Sequence, residues 1–192
     1  WGTEQVRRDW AGELAAGRKL ASYCLTEANA GSDAASLVTM ARRDGEDYVL
    51  NGAKAFISGA GDTDVLVVMA RTGADGPGGI SAFVVPGDAA GLTYGKNETK
   101  MGWNSQPTRA ISFENVRVPL HCLLGAQGDG FSIAMQGLEG GRINIAACSL
   151  GAAQVTLDMT QRYLSERKQF GQVLADFQAL QFRLADMATE LV

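Results

Sequence analysis

Near Gly128 the spacing of apolar residues changes period, and that switch constrains the fold more than any other feature of the chain. Before it, short runs rich in β-branched and aromatic residues alternate with turn signals, as strands do. This pattern predicts strands at 20–26, 36–42, 48–51, 54–58, 65–70, 80–85, 110–113 and 116–119. Asp44-Gly45 marks a hairpin, Asn51-Gly52 has the composition of another turn, and Gly73 to Gly79 reads as a flexible connection. Short strands without intervening helices predict a sheet-rich domain closing as a barrel or sandwich. After the switch, Ile143, Leu150, Leu157 and Leu164 recur once per heptad, with Ala146, Ala147 and Ala153 between them. A second helix carries Phe177, Leu180, Leu184, Met187 and Leu191, with Gly171 as the break before it. Two such helices cannot bury both faces alone, so they predict a bundle completed by more chain or by other subunits. The helical pattern runs to Val192 without a stop signal, and the chain reads as a piece of something longer.

Residues 4–19 predict a short helix followed by a loop. The expected organisation is therefore multidomain α and β, with boundaries at 1–19, 20–127 and 128–192. Seventeen basic against 21 acidic residues leave a net charge of −4, with no basic excess to neutralise a nucleic acid. No apolar run approaches the roughly 20 residues that span a bilayer, so membrane insertion is not expected. No signal peptide is visible, and an opening Trp1 in place of Met suggests that a native start has been lost. Cys24, Cys122 and Cys148 are odd in number and far apart. They suit neither a disulfide framework nor a metal site, and favour a reducing compartment. The lone His121, after Pro119, reads as structural or solvated.

Tyr23 to Ser36 (Tyr-Cys-Leu-Thr-Glu-Ala-Asn-Ala-Gly-Ser-Asp-Ala-Ala-Ser) begins as a strand and runs into small, hydroxyl-bearing residues. A strand exit of this kind offers backbone N–H groups and the hydroxyls of Thr26 and Ser32, and Gly31 permits close approach. That suits a planar, acceptor-rich or phosphorylated ligand. Asn51 to Ala60 supplies a second candidate strand with Phe56, Ile57 and Ser58. Glu139-Gly140-Gly141-Arg142 is expected to open the first long helix and to offer a phosphorylated chain its N–H groups and an arginine. Arg167-Lys168-Gln169-Phe170-Gly171, followed by Phe177-Gln178, adds a guanidinium able to hold a diphosphate bidentately. No G-x-G-x-x-G, P-loop, G-x-S-x-G or H-E-x-x-H motif occurs, which argues against Rossmann, nucleotide-hydrolase, serine-hydrolase and zincin readings.

Taken in this order and spacing, the segments resemble the acyl-CoA dehydrogenase family, flavoenzymes that oxidise acyl-CoA thioesters to enoyl-CoA. The likeness extends over nearly all of the chain. One departure is Ala28-Asn29, where many relatives carry Pro-Gly, and another is Glu139, where relatives usually carry Asn or Asp. The resemblance implies the end of an N-terminal α domain, a central β-barrel domain and the first helices of a C-terminal α-helical bundle. It implies FAD as cofactor, with Tyr23, Cys24, Leu25, Thr26, Gly31, Ser32, Phe56, Ile57 and Ser58 at the flavin. Arg167, Phe170, Phe177 and Gln178 would reach the FAD of a neighbouring subunit. Ser32, Glu139, Gly140, Gly141 and Arg142 would contact the CoA substrate. The implied partners are an electron-transfer flavoprotein and further copies of the chain, as a homotetramer. A mitochondrial matrix location follows for a eukaryotic source and a cytoplasmic one for a bacterial source. The family's catalytic glutamate is expected beyond Val192, so neither Glu27 nor Glu139 is assigned as the base. Within the family, Ala55 to Gly61, Gly102 to Arg109 and Arg142 to Ala146 are similar to the branch acting on isobutyryl-CoA, a short branched thioester of valine breakdown. The alternatives are another short or branched acyl-CoA, or a non-catalytic flavin- or acyl-CoA-binding fragment that lacks the base.

Overall fold

Val65 to Arg71 is apolar at nearly every position, which suits a strand covered on both faces. In the computed structural model, which describes all of residues 1–192, it becomes a central strand of one eight-stranded mixed sheet. In chain order the strands are β1 (Ala21–Cys24), β2 (Met40–Asp44), β3 (Asp47–Ser58), β4 (Val65–Arg71), β5 (Ile80–Pro86), β6 (Leu92–Tyr94), β7 (Thr108–Pro119) and β8 (Leu123–Leu124). Their hydrogen-bonded order is β6-β7-β3-β2-β4-β5-β8, with β1 laid parallel to β4. Along β4, Val68 and Ala70 enter the larger core cluster while Met69, between them, enters a smaller one, as two-residue alternation requires.

The expected closed barrel is not found. β1 takes the edge of β4 along Val65–Val68, and β2 meets the same strand only at Arg71. The sheet therefore forks at β4. Its outer strands, β6 and β8, are three and two residues long and pair only inward. The Asp44-Gly45 hairpin forms as expected, with Asp44 opposite Asp47 and Gly45 at φ +64°. Arg117 of β7 reaches both flanking carboxylates, at 2.6 Å from Asp44 and 3.2 Å from Asp47. Asn51-Gly52 is not a turn. The strands expected at 48–51 and 54–58 are one continuous β3, and those at 110–113 and 116–119 are one continuous β7.

The chain separates into two compact units, Trp1–Gln136 and Gly137–Val192. In the first, helix α1 (Glu4–Val6), a π-helical turn over Arg7–Ala11 and helix α2 (Gly12–Ala15) pack Val6, Trp10 and Leu14 against the larger core cluster. Thr3 caps this segment by accepting the Val6 N–H at 3.2 Å. Helix α3 (Gly130–Glu166) starts in the first unit, where Phe131, Ala134 and Met135 join the smaller cluster. The second unit holds the remainder of α3, a hairpin of β9 (Lys168–Gln169) and β10 (Gln172–Val173), and helix α4 (Gln178–Leu191). No helix is long and apolar enough to cross a membrane.

Candidate functional site

β1 ends at Cys24, and the following residues turn back sharply at 27–30. The Glu27 N–H donates to the Ala30 carbonyl at 3.0 Å, and the Ala30 N–H returns a bond to Glu27 at 3.1 Å. Ala28 and Asn29 form the exposed tip. The exit is stitched to β3 by the Ala55 N–H, which donates to the Thr26 carbonyl at 2.9 Å. Within β1 itself, the Ser22 hydroxyl donates to the Ser58 carbonyl at 2.7 Å. Residues 22–27 and 54–58, far apart in sequence, are thus brought side by side, with Thr26, Phe56 and Ser58 on the outer side.

β3 carries a bulge there. Its pairing with β7 steps from Lys54↔Ile111 to Ile57↔Arg109, so Ala55 and Phe56 lie opposite the single residue Ala110. Phe56 takes φ +56° and is 66% exposed. A bulky residue in the left-handed region is an outlier that costs roughly 1–3 kcal/mol and tends to mark functional positions. The bulge sets the aromatic ring outward while Ile57, 2% exposed, turns into the core.

Beneath this surface lies an ion pair that sequence reading missed. Lys54 Nζ stands 2.7 Å from Glu27 Oε1, with the side chains 0% and 6% exposed. The ammonium also donates to the Leu25 carbonyl at 3.0 Å. The carboxylate accepts the Val38 N–H at 2.7 Å and the Thr39 N–H at 3.0 Å. Burial raises the Glu27 carboxyl, but bonds from Lys54, Thr39 and Val38 outweigh it and hold the group below the usual carboxylate range. Burial lowers the Lys54 ammonium, against the opposing pull of Glu27. Removing one partner of such a pair strands a buried charge, at about 3–5 kcal/mol. The sequence signal was the spacing of a Glu in the first motif and a Lys in the second. Each had a place in its own motif, but nothing in the sequence shows that the two side chains meet.

The other predicted residues of the first unit divide by orientation. Tyr23 is partly exposed, and its hydroxyl donates to the Ala134 carbonyl at 2.9 Å. Burial pushes this phenol up to about 12. Cys24, 0% exposed, and Leu25, 6% exposed, are buried in the core, so neither side chain can face a ligand there. Burial also pushes the Cys24 thiol up to about 12, which leaves it unreactive. Thr26 is half-buried, while Gly31, Ser32 and Ser58 are exposed. The segment 100–107 adjoins this edge, because Thr108 pairs with Ser58 and the Gly59 N–H donates to the Pro107 carbonyl at 2.8 Å. Lys100 shapes the loop by donating to the carbonyls of Trp103 and Gln106 and to the Thr108 hydroxyl. Trp103, at φ +56°, is exposed.

In the second unit, Glu139, Gly140, Gly141 and Arg142 do not open a helix. They lie inside α3, which starts at Gly130, so their N–H groups are spent on the helix ladder and cannot form an N-terminal anion site. Their exposed side chains and a glycine-smoothed face remain available. Arg167 follows the end of α3 and closes the β9–β10 hairpin, since the Leu174 N–H donates to its carbonyl at 2.8 Å. The hairpin turns on Phe170 (φ +54°) and Gly171 (φ +79°), two left-handed residues that define a type I′ turn. Phe170, 94% exposed, meets Phe177 edge-on with ring centroids 6.3 Å apart. Phe177 caps α4 and Gln178 is its first residue. The hairpin therefore gathers the expected residues Arg167, Phe170, Phe177 and Gln178 at one end of this unit.

The acyl-CoA dehydrogenase middle domain matches residues 22–116, and the C-terminal domain of the same enzymes matches residues 128–192. The chain belongs to the acyl-CoA dehydrogenase family. Among acyl-CoA dehydrogenases, it is 57% identical over all 192 residues to the mitochondrial isobutyryl-CoA dehydrogenase of Dictyostelium discoideum, covering 46% of that protein. It is 55% identical to the bovine enzyme of the same name, again covering 46%. The fold matches butyryl-CoA dehydrogenase from Megasphaera elsdenii at a TM-score of 0.95 and 41% identity, over 98% of this chain and 50% of that one. The chain thus spans about half the length of the relatives it matches.

Proposed function

We propose that the chain forms the cofactor-binding part of an FAD-dependent dehydrogenase converting isobutyryl-CoA to methacrylyl-CoA. The observation that carries the cofactor reading is the surface joining Thr26, the left-handed Phe56 and Ser58. An outward aromatic ring between two hydroxyl-bearing backbones suits a planar heterocycle with acceptors along one edge. Bound FAD would accept the hydride that leaves the β-carbon of the thioester. Thr26 and Ser58 would orient the ring by hydrogen bonding, Phe56 would cover one face, and Tyr23 and Leu25 would support the backbone beside it. Gly31 would let a diphosphate approach, and Ser32 would stand between cofactor and CoA. Glu139 to Arg142 would contact the CoA chain through side chains and the bare glycine face. Arg167, Phe170, Phe177 and Gln178 would reach the FAD of a neighbouring copy in a homotetramer.

The α-proton must leave to a carboxylate, and none of these residues is assigned that role. Electrons would pass on to an electron-transfer flavoprotein. A matrix location follows if the source is eukaryotic and a cytoplasmic one if it is bacterial. Residues 1–19 would close an N-terminal helical domain, 20–127 form the middle domain and 128–192 begin the bundle. The branched substrate is supported by the identity to two isobutyryl-CoA dehydrogenases and by the position of 100–107 against Ser58. A straight-chain substrate is the second reading, favoured by the fold match to a butyryl-CoA dehydrogenase. The test is the anaerobic visible spectrum of the native protein during titration with isobutyryl-CoA and with butyryl-CoA. Bleaching of a flavin band by isobutyryl-CoA at the lower concentration is the expected result. Preferential bleaching by butyryl-CoA would select the second reading, and a colourless protein that takes up no FAD would overturn both.

A further inference from the structure

We infer that the buried Glu27–Lys54 pair is a positioning device for the flavin-facing backbone, and not simply a brace for the fold. This rests on the FAD reading of the surface above it. Three strands of chain converge on the two charges. Lys54 holds the Leu25 carbonyl at 3.0 Å, one residue before Thr26. Glu27 holds the consecutive N–H groups of Val38 and Thr39. Lys54 itself is the last residue of β3 in register with β7 before the bulge that turns Phe56 outward. The fixed points thus bracket both flavin-facing elements from below. With Lys54 anchored, the Ala55 N–H meets the Thr26 carbonyl at 2.9 Å, and the left-handed step at Phe56 follows directly.

The neighbourhood is built to admit this arrangement. Thr39 presses on β3 where Gly52 stands, and a Cβ on Gly52 would lie 2.6 Å from Thr39 Oγ1 and 2.7 Å from its Cα. Only a glycine lets the 38–39 segment approach closely enough to cap the Glu27 carboxylate. Thr39 then donates its hydroxyl to the Ala53 carbonyl at 3.3 Å, next to Lys54. Neither charged side chain reaches the surface, so neither can touch the ligand. Their influence passes through the Leu25–Thr26 backbone and the bulge.

The test compares Glu27→Gln and Lys54→Met with Val118→Ala in the native holoprotein. Val118 is a core residue paired with Tyr48, at the other end of the β3–β7 ladder. FAD affinity and the visible circular dichroism of bound flavin are read at a temperature where every variant is folded. The expected result is a loss of FAD affinity of roughly tenfold or more and an altered flavin spectrum in both pair variants, with neither change in Val118→Ala. If Lys54→Met does not fold, the near-isosteric Glu27→Gln decides alone. Wild-type affinity and spectrum in a folded Glu27→Gln would overturn the inference while leaving the cofactor reading intact. So would an equal loss in Val118→Ala. A wild-type protein that holds no FAD would overturn the cofactor reading and this inference with it.

Discussion

Phe56 carries a conflict between local preference and position. An unconstrained phenylalanine avoids the left-handed region, and its ring is 66% exposed, so neither backbone preference nor burial accounts for it. The bulge holds the ring outward at a backbone cost, and the fold gains little burial in return. Phe56→Ala is therefore expected to leave the thermal midpoint of the apoprotein nearly unchanged. Loss of an aromatic face worth about 1 kcal/mol should weaken FAD by about fivefold. Differential scanning fluorimetry and a flavin fluorescence titration check the two halves, and a large drop in apoprotein stability would count against the assignment. Residue type at this position was readable in the sequence; its backbone state was not, because a bulge is defined only against the partner strand.

At the scale of elements, β3 and β7 carry two irregularities that explain where sequence reading divided them. Near Gly52 the register steps from Leu50↔Val116 to Gly52↔Phe113, so Glu114 and Asn115 on β7 lie opposite Asn51. Asn115 takes φ +51° and exchanges side-chain and backbone bonds with Asn51, at 3.2 and 2.9 Å. Asn-Gly is therefore used for a bulge and a close approach, where its composition suggested a chain reversal. Gly52→Ala must place a Cβ on Thr39 at φ +147°. It is expected to destabilise the chain by about 2–3 kcal/mol. Gly12→Ala, in a helical turn with open space around it, is expected to stabilise by about 0.5–1 kcal/mol. Urea denaturation of the two variants tests the contrast, and equal midpoints would contradict it. The Asp44-Gly45 hairpin, by comparison, was legible because its turn is local and needs no distant partner.

On the scale of the whole molecule, the second unit leaves its apolar heptad largely uncovered. Ile143 and Leu150 are 68% and 55% exposed, and Val155, Met159 and Phe182 are exposed as well, whereas Leu164 is buried. Apolar surface of this extent favours association. The 192-residue chain alone is expected to sediment as oligomers whose size grows with concentration. Replacing Ile143, Val155 and Met159 together with Gln should shift it toward monomer. Analytical ultracentrifugation measures this, and a monodisperse monomer of the unmodified chain would refute it.

Apolar period by itself determined the order of helix, sheet and helices, and short motifs pointed to the family whose domains match residues 22–116 and 128–192. Both signals are local: two-residue and heptad spacing report which face is covered, and turn residues report where the chain can bend. Tertiary structure alone decided that the sheet forks at β4 instead of closing, since pairing between distant strands leaves no mark within either one. It also decided that Glu139 to Arg142 lie inside a helix, because a glycine pair resembles a helix start until the preceding turns are seen to be helical. Only the folded chain joined Glu27 to Lys54, for a charged residue looks solvent-facing in sequence until its partner removes the cost of burying it.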